Sequence, residues 1–241
     1  MSINPEHDAQ MRAIDQAIAR ERSMKPLILT GYTSHIQEIA ELCLPSKRQW
    51  AKRHGCDFLV LTDQDFPRER GHPSFQKLRW IHKILSRGEP IIWLDADVMV
   101  MNLNVTPESL LPVGATWFAA SRDYNDAGRQ PHKAWSAGNT AWLPKDGALA
   151  WLDKAMQDEG ARWGGLWDQD ALQNCHDEMP LGVDMTLWPA RKMNAVHPNF
   201  GLEASWQSGD FLIHFTGIAP EDRAREARKF IDVHLSLATS T

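Results

Sequence analysis

Residues 89–102 read EPIIWLDADVMVMN and place two carboxylates between two apolar runs. The run at 91–94 is short and rich in β-branched and aromatic side chains, which predicts a buried strand, and the run at 98–101 predicts a second. Buried carboxylates are unfavourable unless a cation compensates them, so Asp95 and Asp97 predict a site for magnesium or manganese. Such ions commonly complete their coordination with phosphate oxygens, which indicates a nucleotide-type substrate. A polar turn without a ligand remains the alternative.

The residues before and after this stretch alternate between strand and helix patterns. Strands are predicted at 26–30, 57–62 and 90–95, and helices at 34–54, interrupted or kinked at Pro45, and at 74–86. This alternation predicts an α/β fold with a Rossmann-like, mostly parallel central sheet and flanking helices. Ligands of such sheets bind at the carboxyl ends of the strands, which is where the paired aspartates lie.

The second half of the chain is less regular. Its expected elements are a short helix at 105–111, a strand at 115–120, a polar loop at 121–135, a helix at 145–158, a Gly/Trp-rich loop at 160–167, a helix at 168–176, strands at 185–189 and 211–217 and a helix at 219–236. An amphipathic helix is expected at 7–22, outside the main fold. We therefore expect an N-terminal helical extension, 1–25, and a single domain, 26–241.

Composition narrows the function classes. The net charge of −5 argues against a general nucleic-acid binder. No apolar run reaches 18 residues and the N-terminus lacks an apolar signal core, so neither a membrane span nor a signal peptide is expected. The three scattered cysteines fit a reducing compartment, so we expect a cytoplasmic protein.

Eleven tryptophans slightly favour a carbohydrate ligand, because aromatic faces stack on sugar rings. Several of them are expected in or beside loops: Trp135, Trp142, Trp163, Trp167 and Trp206.

Three further features have both a structural and a functional interpretation. His214 in the apolar strand 211–217 is either a hydrogen-bonded core residue or a ligand that completes the metal site. Lys77 and Arg79 are either a solvated helix face or cations that face a diphosphate leaving group. The acidic start of helix 168–176 either caps that helix or lies at the reacting face of a sugar.

In order along the chain, the motifs GYT, QKL, WLDADVMVMN, SAGNTAWL, DQDAL, WPARKMNAVHP and GDFLIHFTG resemble the galactosyl/xylosyl/mannosyl-transferase family 34 of glycosyltransferases. They are similar, more distantly, to the family 8 bacterial lipopolysaccharide galactosyltransferases and glycogenin. The resemblance covers residues 26–217. It implies a GT-A fold and retaining transfer of a hexose or pentose from a nucleotide-diphosphate sugar, UDP-sugar favoured, to a saccharide or other hydroxyl acceptor. It also implies manganese, with magnesium as the alternative.

The resemblance assigns roles to individual positions. It implies metal ligation by Asp95, Asp97 and His214. It implies donor contacts from Thr30, Gly31, Tyr32, Lys77, Asp95, Ala96, Asp97, Ser136, Ala137, Gly138, Asn139, His214 and Gly217. It places Asp168 and Gln169 beside the anomeric carbon, and Asp170 is a further candidate catalytic residue. Arg191 and Asn194 match an Arg/Asn pair whose role the resemblance does not fix.

The chain departs from the family pattern after Gly217. Family members often carry a diphosphate-binding lysine there, whereas this chain reads Ile218-Ala219-Pro220. Either Arg223 substitutes for that lysine or the contact is missing. The chain also lacks the membrane anchor of eukaryotic members, which favours a bacterial enzyme, either free in the cytoplasm or peripheral to a membrane that carries the acceptor. Two alternatives stay open: a metal-dependent nucleotide-sugar hydrolase and an inactive sugar-nucleotide or carbohydrate-binding module. No GxxxxGK[ST] segment supports a P-loop enzyme.

Overall fold

The computed structural model describes residues 25–123, 135–176, 185–201 and 203–239, with side chains as far as residue 232. The helix expected at 7–22 and most of the loop expected at 121–135 lie outside these ranges. Within them, no helix combines the length and the apolarity needed to cross a membrane.

Eight strands form two sheets in the described part of the chain. The strands are β1 Leu27–Gly31, β2 Phe58–Leu61, β3 Ile91–Leu94, β4 Val98–Val100, β5 Phe118–Arg122, β6 Trp135–Trp142, β7 Met185–Trp188 and β8 Leu212–His214. The six-stranded sheet has the order β2-β1-β3-β6-β5-β7, and β4 pairs with β8 in a separate ribbon. Only β6 runs antiparallel to its neighbours in the large sheet, so the sheet is mostly parallel as predicted.

Helices flank the sheet and occupy most of the connections. They are α1 Gln37–His54, α2 Pro73–Leu85, α3 Asp146–Ala155, α4 Glu159–Trp163, α5 Asp168–His176, α6 Ala190–Met193 and α7 Pro220–Thr239. α1 continues through Pro45 and ends at Gly55, whose φ of +61° suits the left-handed turn that closes the helix. The element order predicted for 26–95 is therefore confirmed.

Side chains of successive strand residues enter two different cores. Leu29, Ile91 and Trp93 belong to a cluster with α2, α3 and α5, while Ile28 and Ile92 belong to another that contains residues of α1. Because both faces are covered, β3 is apolar along its whole length instead of alternating. The strand ends are left free to form a site.

Three sequence predictions are corrected. The segment 160–167 was expected to be a loop, but its first part is helical because Asp158 Oδ1 accepts a hydrogen bond from Ala161 N and caps α4. Trp135 and Trp142 were expected in or beside loops, but both lie in β6 and are fully buried. The short helix expected at 105–111 is a 3₁₀ turn, Pro107–Leu110.

Candidate metal site and the cavity above it

Asp95, Asp97 and His214 lie together where β3 ends and β4 pairs with β8. One ligand atom from each side chain lies within 4.8 Å of the others. The β4–β8 register sets this arrangement, because Val98 pairs with His214 and Phe215 N donates to Asp97 O at 2.9 Å. The structure thus brings together the three residues that the resemblance gave as metal ligands.

The imidazole of His214 is oriented for metal binding. Its Nδ1 lies 2.8 Å from Asn194 Oδ1, and Asn194 Nδ2 donates to Arg122 O at 3.5 Å, which assigns the amide oxygen to the histidine. With Nδ1 engaged by Asn194, Nε2 faces the carboxylate of Asp97 and lies 3.2 Å from Asp97 Oδ1. Nε2 and the two carboxylates each offer a ligand atom to the same small space, so the side chains fit a divalent ion. Asn194 thereby orients the ligand.

Asp97 is ionised in this environment. Burial alone would raise its pKa, but His214 and Arg223 hold the pKa of this carboxyl well below its usual range. Arg223 Nη1 lies 3.0 Å from Asp97 Oδ2, and Arg223 Nε donates to Ile218 O at 2.9 Å. Arg223, which the sequence analysis gave as a possible substitute for the lysine of the family pattern, therefore lies at the edge of the metal site.

Lys77 is a buried cation between two carboxylates. Its side chain is 3% exposed, and its Nζ lies 2.6 Å from Asp168 Oδ2 and 3.5 Å from Asp95 Oδ1. Nζ also donates to Ala137 O at 2.8 Å, and Trp93 Nε1 donates to Asp95 Oδ1 at 2.6 Å. The alternative of a solvated helix face does not hold for Lys77, whereas Arg79 on the same helix is partly exposed.

The Lys77–Asp168 pair is ionic at neutral pH. Burial raises the pKa of Asp168 to about 6, and Lys77 opposes that rise while Asp95 adds to it. Burial alone would lower the pKa of Lys77, but Asp168 and Asp95 outweigh it, so that pKa is raised. Lys77 therefore supplies a fixed positive charge beside Asp95.

Strand β6 approaches the metal ligands so closely that it needs a glycine. A Cβ on Gly138 would lie 2.7 Å from His214 Cε1 and 2.9 Å from Asp95 Oδ2. Gly138 O also accepts from Asp95 N at 3.0 Å, which ties the end of β3 to β6. The SAGN segment, 136–139, thus forms the buried wall behind two of the three ligands.

The three predicted catalytic residues at the start of α5 have different surroundings. Asp168 binds Lys77, as described above. Gln169 Oε1 accepts from Ala137 N at 3.0 Å, and its Nε2 donates to Asp123 Oδ2 at 3.5 Å. Asp170 Oδ2 accepts from Leu166 N at 2.6 Å, in the turn that precedes the helix.

A cavity of about 260 Å³ opens above the metal ligands. Of the predicted donor-binding residues, its walls include Gly31, Tyr32, Lys77, Asp95, Ala96, Asp97 and His214. Other predicted residues, Thr30 and the segment 136–139, are buried behind these walls. Gly217 is exposed at the start of α7, with a φ of +73°.

Two wall or support residues, His72 and Lys47, were not assigned from the sequence, whereas Trp167 was expected as a possible carbohydrate contact. The rings of His72 and Trp167 stack at 3.7 Å in the cavity wall, and Trp167 has a φ of +50°, which is unusual for a residue other than glycine. Lys47 lies fully buried beneath the metal-binding turn. Its position on the face of α1 that includes Cys43 and Trp50 was the available signal, because a lysine there must find buried acceptors.

Comparisons with known proteins support the fold. No protein-family model and no curated protein sequence matches the chain. Among solved structures, a glycosyltransferase involved in the glycosylation of the major capsid of PBCV-1 is similar with a TM-score of 0.66 and 14% identity, over 84% of this chain and 98% of that one. The galactosyltransferase LgtC, solved with donor and acceptor sugar analogues, is similar with a TM-score of 0.52 and 14% identity, over 88% and 96%.

The bifunctional glycosyltransferase WbbM is similar with a TM-score of 0.56 and 11% identity. The match covers 89% of this chain but only 52% of WbbM. At these identities the likeness concerns the fold. The chain therefore has the GT-A glycosyltransferase fold, whereas membership of family 34 stays a prediction.

Proposed function

We propose that this protein is a metal-dependent retaining glycosyltransferase that moves a hexose or pentose from a nucleotide-diphosphate sugar, UDP-sugar favoured, to a saccharide or other hydroxyl acceptor. The observation that carries the proposal is the convergence of Asp95, Asp97 and His214 beneath a cavity at the carboxyl end of the sheet. That is where an open α/β sheet binds its ligand.

Asp95, Asp97 and His214 would hold the metal ion. A mixed set of carboxylate oxygens and one imidazole nitrogen suits manganese, with magnesium as the alternative. When bound, such an ion supplies Lewis-acid stabilisation of the negative charge that develops on the leaving diphosphate.

The remaining donor contacts come from both ends of the cavity. At the end of β1, Gly31 and Tyr32 line the cavity and would face the base and ribose, with Thr30 buried behind them. Gly217 and the N-terminus of α7 would face the diphosphate, because helix N-termini favour anions. Arg223 lies in the first turns of that helix, and its guanidinium can donate two parallel hydrogen bonds to phosphate oxygens. We therefore assign it the role of the missing lysine.

The chemistry proceeds by same-face displacement. The bond between the anomeric carbon and the phosphate oxygen breaks while the acceptor oxygen forms a new bond on the same face. The acceptor proton passes to the departing phosphate oxygen, so no separate base is required. Gln169, Asp168 or Asp170 would stabilise the positively charged sugar ring from the opposite face. The resemblance favours Gln169 for this role, although both Gln169 Oε1 and Asp170 Oδ2 accept hydrogen bonds from backbone N–H groups.

Aromatic residues beside the cavity are the proposed acceptor contacts. Of the segment 160–167, Trp167 lines the cavity and Trp163 is 60% exposed. A planar aromatic face offers large apolar area at little entropic cost, which suits the apolar face of a pyranose ring.

The first experiment measures thermal stability with UDP, GDP, CMP and their common sugar conjugates, each with and without Mn²⁺. Binding to the native state stabilises it by about 2.7 kcal/mol at a hundredfold excess over Kd. We expect a shift with one nucleotide class that needs Mn²⁺ and disappears in Asp97→Ala. No shift with any nucleotide would refute the donor site.

Product analysis separates the alternatives once the donor is known. Sugar transferred to an acceptor supports the transferase. Free sugar without transfer would favour the hydrolase, and nucleotide binding without turnover would favour the binding module.

A further inference from the structure

Lys47 lies in the middle of α1 and is fully buried. Its Nζ lies 2.5 Å from Asp95 O, 3.0 Å from Ala96 O and 3.3 Å from Thr30 Oγ1. An ammonium has three N–H donors, so each donor has an acceptor. Two of the three acceptors are main-chain carbonyls of the segment that carries the metal ligands.

The neighbouring residue of α1 binds the other end of the same segment. Ser46 Oγ accepts a hydrogen bond from Val100 N at 3.0 Å, and it donates to Cys43 O within the helix at 2.8 Å. Lys47 and Ser46 therefore hold the chain at 95–96 and at 100. Between these two points lie the turn and Asp97.

Lys47 acts on the backbone and not on the metal. A protonated amine has no lone pair for a metal ion, and the carboxylates of Asp95 and Asp97 contact other side chains: Trp93, Lys77, His214 and Arg223. Removing the ammonium would leave two buried carbonyls without their donor and would free the turn to move.

We propose that Lys47 is the positioning residue of the metal site: it fixes the main chain of Asp95 and Ala96 so that the two carboxylates converge with His214. The inference rests on the metal site of the proposed function and adds a residue outside the cavity walls. A purely structural lysine would support folding equally but would leave metal affinity unchanged when the fold survives.

The test measures Mn²⁺ binding by electron paramagnetic resonance in wild type, Lys47→Met and Trp50→Phe. Trp50 is the matched control, since it is fully buried on the same helix and its Nε1 donates to Val105 O at 2.7 Å, outside the metal-binding turn. We expect the Kd for Mn²⁺ to rise at least about tenfold in Lys47→Met, as for other partners that orient metal ligands. Trp50→Phe should lose stability and keep its Mn²⁺ affinity.

Transferase kinetics give an independent measure. In Lys47→Met the concentration of Mn²⁺ needed for half-maximal activity should rise, whereas in Trp50→Phe it should match wild type. If Lys47→Met does not fold, Lys47→Gln replaces it, because the shorter neutral amide keeps a donor but cannot reach all three acceptors. We expect at least a threefold weaker Mn²⁺ affinity in a natively folded Lys47→Gln, on the order of 0.7 kcal/mol.

The outcomes separate the inference from the proposed function. If wild type binds Mn²⁺ and the folded Lys47 variant binds it equally well, the positioning role is wrong and the metal site stands. If wild type does not bind Mn²⁺, or Asp97→Asn binds it as tightly as wild type, the metal site of the proposed function fails, and the role of Lys47 fails with it.

Discussion

Gly138→Ala tests the metal site without removing any ligand. Gly138 has no positive φ and lies in β6, so alanine fits the backbone without strain. The added Cβ would lie 2.7 Å from His214 Cε1. Carbon atoms pack at about 3.5 Å or more, so His214 and β6 must separate by roughly 0.8 Å.

That separation is large on the scale of metal coordination. Ligand distances in metal sites hold to within about 0.2 Å, so even half of the displacement moves His214 Nε2 out of range. The same Cβ also lies 2.9 Å from Asp95 Oδ2, so two of the three ligands are disturbed together. We expect Mn²⁺ affinity to fall by about 10- to 100-fold, and stability to fall by about 1–3 kcal/mol from overpacking.

The assay pairs a Mn²⁺ titration with urea denaturation. Gly147→Ala is the control. Gly147 lies in α3, and a Cβ there would lie 2.9 Å from Trp117 Nε1, which is a similar crowding away from the metal ligands. We expect Gly147→Ala to bind Mn²⁺ like wild type. A folded Gly138→Ala with unchanged Mn²⁺ affinity would show that Asp95 and His214 do not share an ion.

Three other substitutions test separate parts of the site. Lys77→Met should reduce the free energy of unfolding by about 3–5 kcal/mol, since Asp95 and Asp168 lose their buried cation; unchanged stability in urea denaturation would contradict the ion pair. Gln169→Ala should lower kcat with little change in UDP affinity by calorimetry, and a parallel loss of both would place Gln169 at the nucleotide instead. Arg223→Met should weaken the binding of nucleoside diphosphates more than that of monophosphates, most clearly at low salt; an equal loss of affinity for both would show that Arg223 does not contact the diphosphate.

The sequence predicted the part of the fold that depends on local patterns. The apolar runs on either side of Asp95 and Asp97 are long enough to specify β3 and β4, and both strands were found there. The end of α1 was also predictable from a local signal, because Gly55 closes the helix through its own left-handed backbone.

The sequence misled where tertiary burial overrides polarity. β6 reads WSAGNTAW, and its Ser, Asn and Thr break the apolar pattern, so the sequence predicted no strand there. In the structure these side chains are buried in a central strand and bond locally: Thr140 Oγ1 accepts from Trp142 Nε1 at 2.9 Å, and Ser136 Oγ accepts from Gly138 N at 3.2 Å. Prediction from the hydrophobicity of each residue does not take such hydrogen-bond partners within the strand into account.

The support of the site was harder to predict than its ligands. Asn194 orients His214 and Lys47 holds the carbonyls of the metal-binding turn, and both contacts join segments far apart in the chain. The carbonyl acceptors belong to the backbone, which every residue has, so no residue type marks them. Only the β4–β8 register and the course of α1 bring these groups together.

The charges around the metal site indicate how a metal ion and a nucleotide diphosphate affect each other's binding. Three cations of the described residues contact this site. Lys47 binds the carbonyl of Asp95, Lys77 pairs with the carboxylates of Asp95 and Asp168, and Arg223 pairs with Asp97. Burial lowers the pKa of Lys47 to about 8, so it is mostly protonated at neutral pH.

Three cations thus balance three carboxylates around the site. A divalent ion makes this neutral site positive, and the negative charge of a nucleotide diphosphate restores the balance in a region of low dielectric constant. Metal and diphosphate should therefore bind with positive coupling, each raising the affinity of the other. Calorimetric titration of UDP with and without Mn²⁺ measures that coupling, and independent binding of the two ligands would contradict this account of the charges.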